Sequence, residues 1–277
     1  MGTNKFDMKK NSKKSIINKY GLCLNEYKNN INNANVYFKR AIGSSPEMEV
    51  SIAMANILRK KIKNYDNILD IGCASGHFYR SIKKRVTKKF NYTGVDPYKI
   101  FIKKADLAWK DEANVKFKIG NIYNLPFRKN SFEVSFCSNV FIHLDDVIKP
   151  LKEIIRVTKR TIVIRTVLFD VSYKIQCVYN NKWWKDTNVK PIDEFDKKGK
   201  ARAYSYFNIL SFDYLIGNIK KIHPKAKIKI IKDTYFNKKR ITQSIKSEKR
   251  PLATKIIGNE QVSGCILQPH YFVIIEK

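Results

Sequence analysis

The chain has 277 residues, room for one or two domains with a full core, and its 43% hydrophobic and 12% aromatic content excludes a disordered polymer. No run of about 18 apolar residues occurs, which argues against a transmembrane helix, and residues 1–30 are rich in Lys and Asn with no apolar stretch of secretory-signal type. The formal charge of +31 admits a nucleic acid or an anionic surface as partner, yet only 11 of the 55 basic residues are Arg, the better phosphate reader, and the lysines run along the whole chain, so a solvated lysine-rich surface leads.

Five cysteines (Cys23, Cys73, Cys137, Cys177 and Cys265) are scattered without a CxxC pair. That pattern speaks against a zinc ribbon or a disulfide framework and for a reducing, cytoplasmic setting. No cluster with metal-ligand spacing appears, so no metal is expected.

In chain order, residues 1–45 read as an irregular or helical arm. Between Glu47 and Lys63 the apolar residues keep helical spacing. Asn67 to Ile71 is a buried strand, and Phe78, Ile82 and Val86 mark a helix. Tyr92 to Val95 is a second strand, with a helix opened by Pro97. Val115 to Ile119 and Glu133 to Ser138 are the third and fourth strands. A helix is expected over Asp145 to Lys159, with Pro150 in its first turn, and then a fifth strand from Thr161 to Thr166. Ala226 to Ile231 and Tyr271 to Glu276 are two further β-rich runs. Such βαβ alternation predicts a doubly wound α/β sheet, parallel in its main part, with right-handed crossovers.

Open α/β sheets bind ligands at the carboxyl ends of their strands. The first strand ends in Asp70-Ile-Gly72-Cys-Ala-Ser-Gly76-His-Phe78, where small residues let a ligand approach the backbone just before a helix. A nicotinamide-type G-x-G-x-x-G needs glycine at 72, 74 and 77, but Ala74 and His77 stand at two of these. Asp96 ends the second strand, 20 residues after Gly76, where a carboxylate accepts ribose hydroxyls.

These residues resemble the class I S-adenosylmethionine-dependent methyltransferases, in the broad group acting on small molecules and glycans. The resemblance covers residues 67–166. Asp70-x-Gly72-x-x-x-Gly76 corresponds to the family's first motif and Gly94-Val-Asp96 to its second-strand motif. Gly120-Asn121-Ile122 with Leu125-Pro126-Phe127 corresponds to the third, with Asn121 in place of the commoner Asp. Ser131 to Val134, Ser138 to Leu144 and Ile155-Arg156-Val157 correspond to the fourth-strand region and the helix after it, but Lys159-Arg160-Thr161 stands where Pro-Gly-Gly is usual. The resemblance implies a seven-stranded Rossmann-like sheet with its last strand antiparallel, and S-adenosylmethionine as cofactor.

It also implies roles. Gly72, Ser75 and Gly76 line the methionine moiety, with Asp70 shaping the turn. Asp96 holds the ribose hydroxyls, Asn121 accepts the adenine amino group and Ile122 packs on the adenine face. Ser138 and Asn139 lie under the methyl group. His143, on the segment leaving the fourth strand, is the candidate general base if the acceptor is a hydroxyl.

The expected division is an arm over 1–45 and a methyltransferase domain over 46–277, in which 171–212 forms a substrate cap and 238–258 a loop or lid. The cap holds Tyr173, Tyr179, Trp183, Trp184, Tyr204, Tyr206 and Phe207, aromatics suited to stacking on sugars or bases. The expected reaction is methyl transfer to a small-molecule or glycan hydroxyl. An RNA methyltransferase and a non-catalytic cofactor-binding relative are the alternatives. The paired prolines of adenine-amine enzymes and a Pro-Cys dipeptide for attack on pyrimidines are both absent.

Overall fold

The structure is a computed structural model that describes residues 31–178, 195–201, 204–234, 255–257, 260–263 and 266–277. A seven-stranded path organises it, in the order β3-β2-β1-β4-β5-β12-β8. The strands are β1 (Asp66–Ile71), β2 (Phe90–Asp96), β3 (Val115–Ile119), β4 (Phe132–Ser138), β5 (Thr158–Phe169), β8 (Lys227–Lys232) and β12 (His270–Glu276). Pairs within β3-β2-β1-β4-β5 are parallel, and β12 is antiparallel to both β5 and β8. This is the sheet that the resemblance implied. Off the path, β6 (Tyr173–Val178) and β7 (Tyr204–Ser211) form an antiparallel hairpin whose β7 joins the end of β5. Short strands β9 (Lys255–Ile257), β10 (Glu260–Ser263) and β11 (Ile266–Leu267) form a separate sheet.

Helices pack on both faces because alternate residues of the inner strands are apolar both ways. On one face, Ile68, Val134, Phe136 and Val163 meet α2 (Glu49–Leu58) and α3 (His77–Arg85) through Met54, Leu58, Phe78 and Ile82. On the other, Leu69, Ile71, Cys137, Ile162 and Ile164 meet α5 (Ile148–Val157) and α6 (Phe212–Ile222) through Leu151, Ile154, Leu215 and Ile219. Among the described residues no helix is long and apolar enough to cross a membrane.

Several boundaries differ from the sequence reading. Helix α4 runs Lys99–Ala108, so Pro97 precedes it. The Asp96 carboxylate accepts the Tyr98 N–H at 3.0 Å, a local turn that delays the helix by two residues. Helix α5 starts at Ile148, since the Asp146 carboxylate accepts the N–H groups of Ile148 (2.9 Å) and Lys149 (3.2 Å). Lys159 and Arg160 belong to β5 instead of α5.

The arm contributes α1 (Ile31–Ile42), which lies against α3 and α4. Arg80 of α3 holds it by donating to the carbonyls of Arg40 and Ser45, both at 2.8 Å. Within residues 171–212 the structure describes the hairpin β6–β7 and residues 195–201. Tyr179, Trp183, Trp184 and most of 238–258 lie outside the described residues.

Candidate active site

The turn after β1 carries three left-handed residues in five: Gly72 (φ 79°), Ala74 (φ 47°) and Gly76 (φ 75°). At Gly72 a β-carbon would also come within 2.4 Å of Val140 Cγ2, and at Gly76 within 2.8 Å of the Phe117 ring. Both positions therefore need glycine for conformation and for space. The turn is tied down by Gly72 and Cys73, which donate to the Val95 carbonyl at 2.8 and 3.1 Å, and it delivers the chain into α3 with no side chain capping that helix. Uncapped N–H groups at a helix start are suited to a carboxylate.

Asp96 ends β2 beside the turn and is 6% exposed. Its Oδ2 accepts the Ala74 N–H at 3.1 Å and its Oδ1 that of Tyr98 at 3.0 Å, which leaves each oxygen a second lone pair. Burial pushes its pKa up to about 7, against those two hydrogen bonds. Asp70, in the interior strand β1, is buried, and the Tyr92 hydroxyl donates to its Oδ2. Burial pushes it up to about 8, opposed by the Tyr92 hydrogen bond and reinforced by Asp96.

Other expected contacts are used internally. Ser75 is fully buried and its hydroxyl donates to the Ala34 carbonyl of α1 at 3.0 Å, so its side chain faces the arm. Above the turn, Ala34, Ala74 and Phe101 form an apolar cluster, and Tyr37 stacks on His77 with centroids 4.8 Å apart. The Asn121 Oδ1 accepts the Tyr123 N–H at 3.0 Å, and Ile122 is buried in the core cluster with Leu125 and Phe141.

At the end of β4 the picture is different. Ser138 Oγ is buried with no hydrogen-bond partner, and Asn139 is left-handed (φ 60°). A 3-10 turn, Phe141–His143, follows. Asn208 of β7 holds both ends of it, its Nδ2 donating to the carbonyls of Phe141 (3.1 Å) and Leu144 (2.6 Å). His143 Nδ1 lies 3.2 Å from the Tyr206 carbonyl. A carbonyl only accepts, so Nδ1 carries the proton and Nε2 is the basic nitrogen. Burial, against that hydrogen bond, holds the imidazole below the usual histidine range and so neutral near pH 7.

Residues 69–163 match the model of a methyltransferase domain family. Over these residues the chain is similar to the class I S-adenosylmethionine-dependent methyltransferases. Its match to an uncharacterised methyltransferase of Schizosaccharomyces pombe is 35% identical over 108 residues, 36% of this chain and 38% of that protein. Its match to the demethylmenaquinone methyltransferase of Lactococcus lactis is 33% identical over 95 residues, 34% of this chain and 38% of that protein. The chain thus spans less than half the length of these relatives. A solved structure of SpnF, a 4+2 cyclase, superposes with a TM-score of 0.55 at 11% identity, covering 82% of this chain and 80% of that one. A shared fold therefore fixes the sheet and leaves the reaction to the site.

The methyltransferase domain implies S-adenosylmethionine, and the residues fit it. The left-handed turn and uncapped α3 start suit the methionine end, and the carboxylate lone pairs of Asp96 suit two ribose hydroxyls. The sequence reading missed Arg165 and Asp233, a buried ion pair beside Asn139. Its signal was a lone charge inside the apolar run Thr161-Ile-Val-Ile-Arg165-Thr-Val-Leu168.

Proposed function

We propose that this protein transfers the methyl group of S-adenosylmethionine to a hydroxyl of a small-molecule or glycan acceptor, with His143 as general base. The observation that carries the reading is the Tyr206 carbonyl 3.2 Å from His143 Nδ1, which fixes the proton on Nδ1 and so makes Nε2 the basic nitrogen of an imidazole that burial holds neutral. The sulfonium donor supplies an already activated methyl, so the protein's work is alignment and removal of the acceptor proton. Asp96 and the 72–76 turn hold the donor. Ser138, Asn139 and the 3-10 turn form the floor on which the acceptor rests, and β7 keeps that turn in place through Asn208 and Tyr206.

The name of the Lactococcus relative supports a small acceptor. Among the described residues, exposed lysines lie on both sheet edges, Lys116 and Lys118 on β3 and Lys227, Lys229 and Lys232 on β8, a spread that gives RNA little support as an acceptor. Charged edge strands also block edge-to-edge pairing.

The test is label transfer from tritiated S-adenosylmethionine to a panel of phenols, quinols, sugars, carboxylic acids, amines and single-stranded RNA. Label on a hydroxyl compound, lost in His143→Asn while S-adenosylhomocysteine still binds, is the expected result. Label on RNA alone, or full turnover in His143→Asn, overturns the reading.

A further inference from the structure

Next to the end of β4 lies a buried ion pair that the proposed reaction does not use. Arg165 in β5 is 3% exposed and Asp233, just past β8, is 6% exposed. Arg165 Nε and Nη2 each lie 2.7 Å from Asp233 Oδ2. Burying two such ions costs several kcal/mol each, and an apolar pair of similar volume is often as stable, so stability is a weak reason for this pair to exist. Its geometry suggests a better one. The Asp233 N–H donates to the His270 carbonyl at 2.8 Å, which fixes the carboxylate to β12. Arg165 Nη1 donates to Asn139 Oδ1 at 2.5 Å, and the Asn139 N–H donates back to the Arg165 carbonyl at 3.0 Å. The guanidinium thus braces the end of β4 against the segment after β8, across β5 and β12.

Asparagine amides are ordinarily ambiguous, because oxygen and nitrogen look alike. Here the neighbour decides. A guanidinium has donors only, so the amide oxygen faces Arg165 and the NH2 group faces away from it. Asn139 is partly exposed at the strand end, and Ser138, whose hydroxyl is buried without a partner, is the β4 residue in register with Arg165.

We infer that Arg165 and Asp233 are positioning residues that lock the Asn139 amide with its NH2 group offered to the cleft, so that the acceptor molecule brings a hydrogen-bond-accepting oxygen (a carbonyl, carboxylate or phenolate) to this point. The inference rests on the proposed reading that the acceptor lies over the end of β4. An apolar group there leaves the NH2 unpaired once water is excluded, a penalty that selects for oxygen.

The experiment compares Arg165→Met, Arg165→Lys and Asn139→Asp with the wild type, by kcat and KM on the best acceptor of the panel and by calorimetry with S-adenosylhomocysteine. Arg165→Met and Asn139→Asp are expected to lower kcat/KM by about tenfold or more, with S-adenosylhomocysteine affinity nearly unchanged. Arg165→Lys, which still donates to Oδ1, recovers part of the loss. Wild-type turnover in Asn139→Asp overturns the inference, as does a parallel loss of S-adenosylhomocysteine binding in Arg165→Met and Arg165→Lys, which would mark a purely structural pair. Wild-type protein that binds no S-adenosylhomocysteine instead defeats the proposed function. If no panel compound is labelled, the Asn139 side-chain resonance in 15N-Asn protein decides, assigned by its loss in Asn139→Asp: a shift in Arg165→Met supports the lock, and an unmoved resonance overturns it.

Discussion

The strand ends of β1 and β2, the proposed cofactor half, and those of β4 and β5, the proposed acceptor half, are built on opposite principles. Around the 72–76 turn the polar groups bond to the protein itself: Asp96 accepts from two backbone N–H groups, Asp70 accepts from the Tyr92 hydroxyl and the Ser75 hydroxyl donates to the Ala34 carbonyl of α1. Over β4 and β5, by contrast, Ser138 Oγ and Thr166 Oγ1 are buried without partners, and the shape is imposed by long-range braces from β7 and from beyond β8. A shared donor needs a local, prefolded turn. A particular acceptor needs polar groups held in reserve and aimed by parts of the chain remote in sequence.

That contrast is open to attack, and the acceptor half offers the largest effect. His143→Asn should lower turnover by about 100-fold or more and leave S-adenosylhomocysteine affinity unchanged by calorimetry. A matching loss of cofactor affinity would mean that the two halves are not separable. Asp96→Ala strikes the other half. It should weaken S-adenosylhomocysteine binding by about 1–3 kcal/mol, the scale of lost charge-assisted hydrogen bonds.

The pH response sharpens the same division. Burial raises the Asp96 pKa from 3.8 to about 7. Folding therefore favours its protonated form, and its contribution disfavours the fold progressively as pH rises from about 4 to about 7, then levels off. Ribose hydroxyls pair best with the ionised form, so S-adenosylhomocysteine affinity should fall by up to about tenfold per pH unit below 7. Asp96→Asn should remove that slope and flatten the pH dependence of thermal stability over the same window. An unchanged slope would shift attention to Asp70, which burial pushes up to about 8.

The smallest effects lie away from the cleft. Ser75→Ala should cost about 1 kcal/mol of stability, seen as faster hydrogen exchange in α1, which would show that the arm is held by the turn. At Gly217, within α6, an added β-carbon meets nothing within 4 Å, so Gly217→Ala should stabilise by about 0.5–1 kcal/mol and leave both halves of the site untouched.

The sequence made the cofactor half readable because its information is local. Gly72, Gly76 and Asp96 sit at strand ends within 25 residues, and the apolar runs mark β1 and β2 directly. Even there, the internal uses of Ser75 and Asn121 were hidden, since the Ala34 and Tyr123 partners depend on packing and turn geometry. The acceptor half was hardly readable. His143 stood out as a histidine after a strand, but its tautomer comes from Tyr206, 63 residues on. The Arg165–Asp233 pair joins residues 68 apart. Hairpin β6–β7 escaped because its strands, separated by more than 20 residues, carry no short turn signal.

The position of β12 has a kinetic consequence. It lies between β5 and β8, antiparallel to both, and pairs residues 270–276 with residues 161–167 and 227–232. Until that late segment inserts, β5 has no neighbour on that side and β8 has no place in the sheet at all. The β5–β12 contact spans about a hundred residues, the kind that loop closure makes slow. Lys227, Lys229 and Lys232 line β8, the strand at that end of the sheet, with charge, which protects it from pairing with another copy of itself.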